Sequence, residues 1–182
     1  MAVDVARFGD GRSVIGLRQG RLFRILAKYR GLDTVQLTRR VIDFEEREQP
    51  DASVVDSDGL GAGVVDQLRD RGFTSGLHEF RGSVPANDAT KYFKRRAEVW
   101  GLAADWLHAG AEIPDDPELE TDLTAVQYGF SAKQQIQLEK KDDMKARGCA
   151  SPDMGDTLAM TFAVQLRSRH VPRSRADLAW MR

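Results

Sequence analysis

The feature that most constrains this chain is a change of apolar periodicity within its first half. Val3–Ala6, Ser13–Arg18 and Leu22–Tyr29 are short apolar runs of strand character, separated by FGDGR and RQGR, segments of Gly, Asp and Arg that turn the chain. Strands joined so tightly form an antiparallel meander. After Tyr29 the period becomes helical. Leu32-Asp33-Thr34 offers an N-cap to VQLTRRVIDFEERE, in which Val35, Leu37, Val41, Ile42 and Phe44 recur at roughly helical spacing until Pro50 stops the run. Ala52–Ser57 then reads as a fourth strand, GAGVVDQLRDRG as a helix closed by Gly72, and SGLHEFRG as a fifth strand. The order β-β-β-α-β-α-β belongs to an α/β fold with a mixed central sheet, a three-strand antiparallel meander continued by parallel strands and flanked by helices.

The second half is looser. Ser83–Thr90 is a polar loop, and Lys91–His108 reads as a long helix carrying Tyr92, Val99, Trp100, Leu102 and Trp106. A helix over Pro117–Val126 puts Leu119 and Leu123 on one face, and Tyr128–Phe130 with Ile136–Glu139 reads as a hairpin around Ser131–Gln134. A last helix opens at Ser151-Pro152 and runs to about Ser168, so residues 1–169 form one domain and residues 170–182 a basic tail.

Composition limits the function classes. With 41% apolar and 30% charged residues, and no apolar run approaching the ~18 residues of a membrane span, neither a membrane helix nor a disordered chain is expected. The single cysteine, Cys149, excludes an internal disulfide, has no Cys or His neighbour at zinc-ligand spacing and has no nearby His to activate it; a reducing cytosol fits. No charged-then-apolar leader precedes the first strand, and MAVDVARFGD starts almost inside it, as though a larger protein had been cut there. A net charge of −1 means that nucleic-acid binding must rely on local basic patches.

Four acids are badly placed for packing alone. Asp4 lies in the first strand and Asp56 closes the fourth, in VVDSDGLGAG. If these strands pair side by side in parallel, both carboxylates emerge near one edge of the sheet. In SPDMGDTLAMTFAV, Asp153 and Asp156 are three apart and share one turn of a helix that is apolar on all sides. Buried carboxylates repel each other and are costly without a cation. An oxygen-only donor set favours Mg²⁺ or Mn²⁺, and acids from three separate elements can hold two ions about 3.5–4 Å apart, the arrangement used for phosphodiester hydrolysis. Each acid also has a plainer role: Asp4 as an edge charge, Asp56 as a turn former beside Ser57 and Asp58, Asp153 as a first-turn acid favoured by the helix dipole.

VDVARFGDGRSVI, VVDSDGLGAGVVDQL, YFKRRAEVW, IPDDPELETDLTA and KDDMKARGCASPDMGDTLAMTFA resemble, in this order, the nuclease domain of the large terminase subunit of tailed bacteriophages. The similarity covers about residues 3–165. It implies a ribonuclease H-like fold and a metal-dependent endonuclease that cuts concatemeric viral DNA during genome packaging. It further implies Asp4, Asp56, Asp153 and Asp156 as catalytic metal ligands of two Mg²⁺ or Mn²⁺ ions, and Asp10 as a further metal-binding acid. The implied partners are double-stranded DNA, the terminase ATPase domain, the small terminase subunit and the portal, in the cytoplasm of an infected host. No GxxxxGK[ST] loop occurs, so the ATPase is not in this chain and cutting, not translocation, is what it is expected to do.

Three alternatives differ in class. Asp115, Glu139 and Lys141 reproduce a PD-(D/E)xK pattern, which would move the active site elsewhere. VDVARFGDGRSVIGL resembles the phosphate loop of actin-like ATPases and sugar kinases, which need a second such domain and loop. A non-catalytic DNA- or portal-docking module would need none of the acids. DNA contacts are expected from Lys91, Lys94, Arg95 and Arg96 on or before one helix, and from Lys140, Lys141, Lys145 and Arg147 ahead of the last; in the tail, Arg173 and Arg175 near Trp180 are candidates for DNA or portal.

Overall fold

In the computed structural model, which describes residues 1–6 and 11–166, the expected meander forms from β1 (Ala2–Asp4), β2 (Ser13–Gln19) and β3 (Leu22–Tyr29). β1 and β2 pair antiparallel, as do β2 and β3. Helix α1 (Thr34–Glu48) follows, started by a capping box in which Asp33 and Gln36 each accept from the other's backbone N–H. It leads into β4 (Ser53–Asp56), which lies parallel to β1; α2 (Gly61–Asp70) crosses to β5 (Leu77–Phe80), parallel to β4. The sheet order is therefore β3-β2-β1-β4-β5.

The central strands are apolar on both faces because both are covered. Val3, Ile15, Leu17 and Val55 face α1 and α2, where they meet Leu37, Val41, Phe44, Val64 and Leu68. Ala2 and Val54 point the other way, against α3 (Arg95–His108) and α6 (Asp153–Met160), with Val99, Ala103, Ala159 and Met160. Between these helices the chain forms α4 (Pro117–Ala125), a hairpin of β6 (Tyr128–Phe130) and β7 (Ile136–Leu138), and α5 (Lys141–Ala146).

Several boundaries differ from those read in the sequence. α3 begins at Arg95, not Lys91, because the preceding residues are stitched to the hairpin: Phe93 N–H donates to Ile136 O and Ile136 N–H to Lys91 O, which bridges Tyr92 to β7 and keeps these residues out of the helix. α5 has no counterpart among the elements expected from the sequence; its one buried residue, Met144, anchors a short helix whose other side chains face outward or toward the site. α6 ends at Met160. Beyond it the N–H groups of Thr161, Phe162 and Ala163 bond three residues back, while Arg18 takes Thr161 Oγ1 and O, so the last turn tightens and stops. The predicted continuation to Ser168, and the tail from residue 170, extend outside the described residues.

Candidate active site

Strand period and register bring the first two acids together. Ala2 pairs with Val54 and Val3 with Val55. One residue further along the same parallel register stand Asp4 and Asp56, each two positions after a residue that faces α6, hence on α6's side of the sheet. Asp4 is buried, 4% exposed, and Asp56 half-buried. Gly61 makes the turn after Asp56 possible: a Cβ there would lie 1.6 Å from the Asp56 carbonyl oxygen, so only glycine lets α2 start this close to the strand end.

α6 supplies the other pair. All eight of its residues are buried, including Asp153 and Asp156. Thr157 packs against β2 where Gly16 leaves room, since a Cβ on Gly16 would stand 2.9 Å from Thr157 Cγ2. Gly155 does the same toward α3: a Cβ there would meet the Trp100 ring at 2.8 Å. Asp153 Oδ2 accepts from Arg12 N–H at 3.0 Å.

Asp156 is the most heavily engaged acid. Its Oδ1 accepts from Arg96 Nε at 2.9 Å and from Trp100 Nε1 at 2.7 Å, and its Oδ2 lies 2.8 Å from Lys141 Nζ. Burial alone would raise its pKa, but the charges of Lys141 and Arg96 and the hydrogen bonds of Lys141 and Trp100 outweigh burial and hold it down at about 2. Asp4 and Asp56 go the other way: burial pushes both up, with Asp156 adding repulsion and Lys141 attraction. Lys141 stands against Asp156 and Asp4, whose charges overcome its burial and raise its pKa.

The structure thus gathers Asp4, Asp56, Asp153 and Asp156 at one rim of the sheet. Asp56 and Asp156 open into a cleft of about 560 Å³ that Lys141, Lys140, Lys94 and Phe93 also line, with Asp4 and Asp153 buried behind it. Among the described residues no three acidic, His or Cys side chains are placed as a ready-made metal shell; Asp156 is turned onto its cationic partners. The donor chemistry nevertheless fits a hard divalent ion. Several buried or half-buried carboxylates, two of them with raised pKa, lie within electrostatic reach of one another, with Lys141 as the cation among them. Asp10 lies outside the described residues.

The basic residues divide. Arg95 is tied to Glu98 at 2.6 Å and to the Ala163 carbonyl, Arg96 to Asp156, and Arg147 to Glu139 at 2.7 Å. Lys91 sits over the Tyr92 ring, while Lys94 and Lys140 line the cleft and Lys145 is exposed. The PD-(D/E)xK set is not brought together as such: Glu139 is paired with Arg147 and Lys141 with Asp156. Two participants were not read as such in the sequence. Trp100 looked like one more apolar residue of its helix. Asp122 had a visible signal, an acid three residues after Leu119 and next to Leu123, on an otherwise apolar face; it is buried, and burial pushes its carboxyl up to about 6.

No protein-family model and no curated protein matches the chain. Solved structures do. The nuclease domain of the large terminase subunit gp2 of bacterial virus Sf6 superposes with a TM-score of 0.78 at 20% identity, covering 91% of this chain and 87% of that one. A mutant of the same domain solved with manganese gives 0.73 at 21% identity, over 87% and 85% of the two chains. The large terminase nuclease of thermophilic phage G20c with bound magnesium gives 0.65 at 16% identity, over 88% and 78%. The fold of this chain is that of the ribonuclease H-like nuclease domains of large terminase subunits.

Proposed function

We propose that this chain is a metal-dependent endodeoxyribonuclease that cuts concatemeric viral DNA during genome packaging, in the cytoplasm of an infected host. The observation that carries the reading is the convergence of Asp4, Asp56, Asp153 and Asp156 from two strands and a helix onto one rim, inside a fold shared with nuclease domains of that kind. These four acids would hold two Mg²⁺ or Mn²⁺ ions, with Asp10 as a further ligand. When bound, such a pair supplies Lewis-acid activation of the attacking water and of the departing phosphodiester oxygen.

The chain's own residues do the rest. Arg96 and Trp100 fix the orientation of Asp156 through Oδ1, and Lys141 meets its Oδ2. Lys94 and Lys140, both lining the cleft, neutralise phosphates beside the scissile bond, and Lys145 extends that track. Backbone contacts of this kind carry no sequence information, so cutting has little sequence preference. The terminase ATPase domain, the small subunit and the portal are the partners this reading entails.

The test is plasmid cleavage by the purified chain. Nicks and linear product should form with Mn²⁺ or Mg²⁺ and vanish with EDTA. Cutting that survives EDTA overturns the metal mechanism, and retention of cutting by Asp4→Asn or Asp56→Asn removes that residue from the ligand set.

A further inference from the structure

The residue that holds α6 in place lies on a different helix. Asp122, on α4, is 6% exposed, and its Oδ2 accepts from Met154 N–H at 2.9 Å and from Gly155 N–H at 3.4 Å. These are first-turn donors of α6, which has no side-chain cap of its own because the capping position is Pro152. Every residue of α6 is buried, so water is poorly placed to satisfy them. Met154 and Gly155 are the two residues between Asp153 and Asp156. Whatever fixes them fixes the rotation of the helix about its axis and hence where both carboxylates point.

We propose that Asp122 is a positioning residue of the acidic site: through the Met154 and Gly155 N–H groups it sets the seat of α6, and with it Asp153 and Asp156. The proposal rests on the reading of those two acids as metal ligands. The fit at Gly155 supports it, since a Cβ there would stand 3.4 Å from Asp122 Cβ on one side and 2.8 Å from the Trp100 ring on the other, so α6 is clamped between α4 and α3. A second tie runs from the same helix: Glu118 holds the Arg12 guanidinium at 2.7 Å, and the Arg12 N–H donates to Asp153 Oδ2. The arrangement places Asp122 near Asp153, whose charge opposes its ionisation. An acid next to a metal ligand, with one oxygen committed to two backbone donors, serves orientation and leaves coordination to its neighbours.

Two variants separate the acceptor from the charge. Asp122→Asn keeps an oxygen able to accept from both N–H groups; Asp122→Ala removes it. The first readout needs no metal. Trp100 Nε1–H donates to Asp156 Oδ1, so the Trp100 indole proton resonance, assigned with Trp100→Phe, reports where α6 sits. The second is Mn²⁺ affinity by calorimetry on folded protein, with Val41→Ala, in the opposite core layer, as a control of matched lower stability. Asp122→Ala should move the indole resonance and weaken Mn²⁺ binding about tenfold or more, the usual effect of losing an outer-sphere support. Asp122→Asn should keep the resonance and bind within about threefold of wild type, on the same scale.

The proposal is overturned if folded Asp122→Ala keeps both values, or if Val41→Ala weakens Mn²⁺ as much. It is also overturned if Asp122→Asn loses both. Should Asp122→Ala not fold, Asp122→Asn decides alone by keeping or losing the resonance. Wild-type protein that binds no Mn²⁺ would instead remove the metal-site reading, and the indole resonance would still decide what Asp122 does.

Discussion

Lys141 Nζ lies 2.8 Å from Asp156 Oδ2, and the same ammonium is the main attractive charge acting on Asp4 and one of those acting on Asp56. A side-chain cation therefore stands where acids from three elements converge. Lys141→Ala should lower the Tm of metal-free protein, because two buried acids lose their counter-charge. Mn²⁺ should then raise Tm more than it does in wild type. Binding at a hundredfold over the dissociation constant contributes about 2.7 kcal/mol. Thermal melts with and without Mn²⁺ check this, and an equal Mn²⁺ shift in both proteins refutes it.

Repulsion among the acids has a pH signature. Burial raises the Asp4 and Asp56 carboxyls above their usual value of 3.8. A carboxyl raised on folding favours the native state below its unfolded pKa, and this contribution is lost as pH rises through the folded value. Metal-free Asp4→Asn should therefore be more stable than wild type at pH 8, by on the order of 1 kcal/mol or about 2–4 °C in Tm, with the gap closing toward pH 4. Melts at both pH values decide it; a gap that widens on acidification has the wrong sign.

Asp153 and Asp156 should not respond alike. Asp156→Ala should eliminate cleavage and destabilise by about 1–3 kcal/mol, because Arg96, Trp100 and Lys141 lose a shared acceptor. Asp153→Ala should leave residual cutting that high Mn²⁺ partly restores, since Asp153 also has the role of a first-turn helix acid. Cleavage across an Mn²⁺ titration ranks the two; the reverse order would refute the assignment.

DNA affinity should fall steeply with salt. Lys140→Ala and Lys145→Ala should each reduce the slope of log K against log salt by roughly 0.9, one phosphate contact apiece. Arg147→Ala should change it little, because Glu139 already holds that guanidinium. Titrations at several salt concentrations check this; equal slopes for all three would place the DNA elsewhere.

The local pattern determined the sheet and its acids. Alternation, turn residues and caps are short-range signals, so the meander and a helix cap within Leu32-Asp33-Thr34 could be read directly; the parallel placement of β1 beside β4 entered only as a condition, which the structure meets, and period two then carries Asp4 and Asp56 to one face. Three apart on one helix was likewise enough to pair Asp153 with Asp156. Tertiary structure decided everything that depends on contacts distant in sequence. Lys91–Phe93 stays out of the helix because it bonds to Ile136 across the chain, against the helical pattern of its own neighbourhood. Lys141, Arg96 and Arg147 read equally as cations for DNA, and only packing shows that the first two face Asp156 and the third Glu139. Asp122 and Trp100 reach α6 across 32 and 56 residues of chain, a distance over which no periodicity carries information. A carboxylate's place in the sequence fixes which way it points from its strand or helix; which charge meets it there is settled only when the elements pack.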